Sequence, residues 1–152
     1  MTRLKVGLLA VRMGSWALVL PILKRVVPLQ RLAQVMRDDG HAPRDRAYEQ
    51  QVVALSSLLA RLRPPRFRDN CLERSLLAYR FLARANADPR LVVGVRIGEA
   101  GVLGHAWVTL DGEPIHESPV AISEFSRVVE FGPEGAASSS RPEARRLPDV
   151  WV

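Results

Sequence analysis

Between residues 69 and 118 the spacing of apolar side chains switches from a helical to a strand period, which restricts the fold to a helix laid on an antiparallel sheet. The run Asp69-Asn70-Cys71-Leu72-Glu73-Arg74-Ser75-Leu76 opens on two good N-cap residues. Leu72, Leu76, Tyr79 and Leu82 then recur on one face of a helix. Leu91-Val92-Val93-Gly94-Val95-Arg96-Ile97 is apolar and β-branched, and Val102 to Leu110 follows after a Gly-rich turn. Asp111-Gly112 marks a second reversal before Glu113 to Ser118. The expected fold class is α+β, with three adjacent antiparallel strands.

Cys71 is the only cysteine in the 152 residues, and the pattern places it in the first turn of that helix. Unpaired main-chain amides there favour an anion, lower a thiol pKa and can donate to an oxyanion. The plain alternative is a small buried core residue, since free cysteines are often buried. His105 falls on the middle strand and shares a face of the pleat with Trp107 and Thr109. A lone thiol and a distant histidine are the parts of a cysteine nucleophile. Trp107 reads first as core and second as a groove wall.

Register selects a carboxylate. A three-residue loop, Leu110-Asp111-Gly112, pairs Thr109 with Glu113 and sets His105 opposite Glu117. A two-residue loop, Asp111-Gly112, pairs Ala106 with Glu117 and puts His116 on the His105 face. The first register is preferred because the site it builds makes chemical sense. Asp111, about 20 Å along the strand from His105, reads as a turn residue.

Cys71-Leu72-x-Arg74-Ser75-Leu76, the Gly94-Val95 strand and Gly104-His105-Ala106-Trp107-Val108 before Asp111-Gly112 resemble the transglutaminase-like leader peptidases of lasso-peptide biosynthesis. The resemblance spans about residues 40 to 125 and implies a transglutaminase-like or papain-like core with the nucleophile helix packed on an antiparallel sheet. It implies a catalytic Cys71, His105 and Glu117, where the family often has aspartate in the third place. By the same resemblance the chain removes the leader from a ribosomally made precursor peptide. It would act in split form, with a separate leader-binding protein and in possible complex with the ATP-dependent macrolactam cyclase. No cofactor or metal is implied.

The chain divides into a helical N-terminal segment (1–40), a peptidase core (41–131) and a mobile tail (132–152). Val6 to Leu23 is strongly apolar, but Arg12 and Pro21 interrupt it. The reading is therefore two short amphipathic helices, about 3 to 20 and 22 to 37, with no stable membrane span and no clear signal peptide. A further helix from Arg44 to Leu62 carries Val52, Leu55, Leu59 and Leu62 on one stripe. A single cysteine excludes an intramolecular disulfide and suits a reducing cytoplasm, which the family resemblance implies to be bacterial. The formal charge of +6 comes from scattered arginines, without the stripe or aromatic motifs of nucleic-acid binding. Three other readings stand: a metal site from Cys71, His105 and His116, a catalytically silent partner-binding scaffold, and an acyltransferase of the same fold.

Overall fold

The computed structural model describes residues 3–37, 43–62, 71–99, 101–132 and 137–139. Among them are helices α1 (Arg3–Val26), α2 (Leu29–Met36), α3 (Arg46–Arg61), α4 (Cys71–Arg84) and α5 (Pro119–Ser123). The strands are β1 (Pro89–Gly98), β2 (Gly101–Leu110), β3 (Glu113–Pro114), β4 (Ser126–Phe131) and β5 (Ala137–Ser139), in the spatial order β3-β2-β1-β4-β5. All the pairings are antiparallel.

Alternation along β1 and β2 explains how the sheet is covered. Leu91, Val93, Ala106 and Val108 point to one face and join Leu76, Leu82, Val52, Met13 and Leu20 in the main core. Val92 and Trp107 point to the other face, where Ile122 of α5 and Phe125 close a smaller cluster. Each such side chain taken from water contributes about 1.5–3 kcal/mol. Trp107 is thus core, and its ring leaves room only for a glycine on the neighbouring strand. A Cβ at Gly94, the residue paired with His105, would lie 2.9 Å from the indole and 3.0 Å from the Ser126 carbonyl.

The helix that starts at Cys71 follows its sequence pattern, with Leu72, Leu76, Tyr79 and Leu82 buried. Asp69 and Asn70, expected to cap it, lie outside the described residues. Helix α3 is capped by Asp45, whose carboxylate accepts from the amides of Ala47 and Tyr48. Its expected stripe ends early: Val52 is buried and Leu55 and Leu59 touch the core, but Leu62 is exposed.

The N-terminus departs from expectation. One helix of 24 residues runs straight through Pro21, and the break comes only at Pro28. An internal proline costs roughly 3 kcal/mol, and packing on both sides offsets it. Leu20 is fully buried before the proline, and Leu23 and Val27 pack on the core after it. Continuous through Arg12 and Pro21, the segment Leu4–Val26 is by length and composition long enough to cross a membrane, contrary to the shorter pieces expected. It is nonetheless tied to the core: Lys24 pairs with the buried Glu73 of α4 at 3.0 Å. Arg80 of α4 stacks on Trp16, 4.3 Å from the ring centre, and donates to the Val35 carbonyl at 2.9 Å. The expected tail also contributes to the sheet, because Ala137–Ser139 forms β5 against β4. Neither α5 nor β4 had been read from the sequence.

Candidate active site

The β2–β3 turn takes the two-residue register, not the bulged three-residue loop expected from the sequence. Leu110 pairs with Glu113 and Thr109 with Pro114, across a two-residue loop in which Asp111 (φ 53°) and Gly112 (φ 88°) are both left-handed. The three-residue bulged loop, and with it a ladder setting His105 opposite Glu117, is not formed. Strand β3 is only two residues long and ends at Pro114, which has no N–H to give. One more main-chain bond, from Ile115 N–H to the Val108 carbonyl at 3.1 Å, closes the pairing, and residues 115–117 then bend out of the sheet.

That early ending shapes the site. Beyond β3, no described strand pairs with the outer edge of β2 at His105, and the N-terminal end of α4, where Cys71 stands, comes beside it. Cys71 stands beside His105, and the imidazole and the main-chain amides of Ala106 and Leu72 all favour its ionised form. Ser75 fixes the helix to the strand by donating to the Ala106 carbonyl at 3.0 Å. Glu117 reaches the histidine from the bend rather than from a ladder position: its Oε1 lies 3.4 Å from His105 Nε2. With Nε2 turned to the carboxylate, Nδ1 is left for the thiol. Glu117, expected opposite His105 in the ladder, thus comes beside it from the bend instead.

Arg74, which the sequence offers only as part of a motif, completes the arrangement. One helical turn after Cys71, it forms an ion pair with the same Glu117 oxygen. Its spacing from Cys71 is the signal that places it on the same side of α4. Its partner 43 residues away could not be read from the sequence. Phe125 is a second residue not anticipated, its ring 5.1 Å from that of His105. Asp111 is held at the hairpin tip by Arg44, through bonds of 2.8 and 2.6 Å, and takes no part near His105.

The electrostatics favour a charged pair. Burial alone pushes the Cys71 thiol up, but the hydrogen bond from His105, the Ala106 amide, the His105 charge and the Leu72 amide outweigh it and leave the pKa lowered. His105 is raised, first by its hydrogen bond with Cys71 and also by the charges of Cys71 and Glu117; burial and Arg74 oppose this. Both shifts stabilise thiolate and imidazolium together, the state in which a cysteine is nucleophilic and a proton is ready for a leaving group.

His116 is not part of this group. Its Nε2 lies 2.8 Å from Ser56 Oγ on α3, and Ser56 gives its own proton to the Val53 carbonyl, so the imidazole donates. The trio of Cys71, His105 and His116 is not assembled. Among the described residues no group of three histidine, cysteine or acidic side chains is placed to hold a metal.

No curated protein and no solved structure matches the chain significantly. A family model does, over residues 10–130, which takes in most of α1 and runs through β4. With a helix-borne cysteine, a strand-borne histidine and an antiparallel sheet between helical layers, the chain belongs to the transglutaminase-like superfamily.

Proposed function

We propose that this chain is a cysteine peptidase that removes the leader from a ribosomally synthesised lasso-peptide precursor. The observation that carries the reading is the juxtaposition of Cys71 and His105 with Glu117 3.4 Å behind the imidazole, in a protein of transglutaminase-like fold. The Cys71 thiolate attacks the scissile carbonyl, and the tetrahedral oxyanion collapses to a thioester as His105 gives its proton to the departing amine. His105, now neutral, takes a proton from water, whose oxygen hydrolyses the thioester and restores the thiolate and imidazolium. Glu117 holds the ring orientation and stabilises its positive charge, and Arg74 positions Glu117. The split form of the family, which the Cys-Leu-x-Arg-Ser-Leu and His-Ala-Trp-Val runs resemble, implies a separate leader-binding protein and a cyclase as partners.

The test is mass spectrometry of a lasso precursor peptide incubated with the protein, with and without the leader-binding partner. Partner-stimulated hydrolysis at one bond, lost in Cys71→Ala and His105→Ala, is expected. Cleavage that survives Cys71→Ala overturns the mechanism, and transfer of the leader to an added amine in preference to water assigns an acyltransferase instead.

A further inference from the structure

Helix α1 has two apolar faces, and among the described residues only one of them packs against the core. Leu9, Met13 and Leu20 are buried against the core, while Leu4, Leu8, Val11, Leu18, Ile22 and Val26 are exposed, Leu4 by 85% and Leu18 by 79%. The exposed set recurs at intervals of three, four and seven residues, so it forms one stripe along the side away from the core, broken at its middle by Ser15, whose hydroxyl donates back to the Val11 carbonyl. At 3.6 residues per turn, Lys5 and Arg12 lie along one border of that stripe and Arg25 along the other. All three are exposed, none forms an ion pair among the described residues, and α1 contains no acidic residue. An apolar stripe with cationic borders is the pattern of a helix lying in a lipid interface.

We infer that α1 seats the protein on an anionic membrane surface, lying in the plane of the headgroups with the Leu4-to-Val26 stripe dipping into the acyl boundary. Spanning the bilayer is disfavoured by the opposite face: the helix would have to withdraw Leu9, Met13 and Leu20 from the core and Lys24 from the buried carboxylate of Glu73. Charge also argues against a second copy of the chain, because two such helices would bring together borders of the same sign. Anionic headgroups supply the complementary charge for both borders at once. The inference is independent of the chemistry at Cys71.

The full chain would be tested by flotation with vesicles of phosphatidylcholine alone or mixed with phosphatidylglycerol. Binding to the anionic vesicles is expected, weakening as salt is raised. The double variant L8E/I22E should lose binding with an unchanged circular dichroism spectrum, since both positions are exposed. Neutralising Lys5, Arg12 or Arg25 should weaken binding about fivefold each, and K5E/R12E/R25E should abolish the preference for anionic lipid. Failure to float with either vesicle, or equal binding to both, overturns the inference. A concentration-dependent dimer that L8E/I22E dissolves, without vesicle binding, assigns the stripe to a second copy instead.

Discussion

His105 and His116 sit on the same hairpin and both feel the Arg74–Glu117 ion pair, yet their surroundings drive them toward opposite charge states. His105 is raised above 6.5 because it faces a thiol that ionises with it and a carboxylate 3.4 Å away. His116 is lowered to about 4, first by burial and next by the charge of Arg74, with the Val53 main chain and Glu117 opposing weakly. The difference teaches that neither residue type nor nearness to a carboxylate sets the charge state of a histidine here. What separates the two is a partner that becomes an anion when the ring becomes a cation. His116 meets a serine hydroxyl and the Val53 main chain, neither of which ionises with it, and stays neutral.

The sharpest way to break the comparison is to exchange the fates of the two rings. His105→Ala should lower peptidase turnover on the order of a thousandfold, whereas His116→Ala should leave kcat within a few-fold and act on stability. Equal losses of turnover in both would show that the site extends to His116.

A smaller effect is expected from the ion pair both rings share. Glu117→Gln should reduce kcat roughly a hundredfold and move the alkaline limb of the rate profile down, because the charge holding a proton on His105 is gone. Arg74→Gln removes the opposing positive charge and should move that limb up, even as the loosened Glu117 lowers kcat. A pH–rate series on both variants checks this, and shifts of the same sign would contradict the assigned charges.

How much of this could be read in the sequence depends on whether the determinant was local. The periodicity of Leu72, Leu76, Tyr79 and Leu82 placed α4, and β-branched runs placed β1 and β2, because each pattern is completed within its own element. The register of β3 was missed by one residue because both loops around Asp111-Gly112 are chemically sound, and the bend after Pro114 that delivers Glu117 leaves no periodic trace. Pro21 was read as a break because its tolerance depends on Leu20 and Leu23 meeting residues distant in the chain. The Arg74–Glu117 pair was invisible for the same reason.

Acid stability isolates the buried ring. In the unfolded chain His116 binds a proton near its ordinary 6.5, but in the folded chain only near 4. The folded state is therefore favoured fully above 6.5, and loses up to about 3 kcal/mol as pH falls through that window. Chemical denaturation of wild type and His116→Gln between these pH values should show a steeper loss in wild type. Parallel curves would mean that His116 is solvated. Ser56→Ala, the mildest change, removes the hydroxyl acceptor of the His116 N–H and should cost about 1 kcal/mol without altering the reactivity of Cys71.

The charged pair itself is tested most directly by alkylation of Cys71 with iodoacetamide across pH, followed by mass spectrometry in wild type and His105→Ala. The wild-type rate should be half-maximal below the ordinary thiol value of 9.0, and the midpoint should rise in His105→Ala, where burial remains but the imidazolium is gone. A wild-type midpoint at or above that of a free cysteine, unmoved by loss of His105, would contradict the thiolate–imidazolium pair.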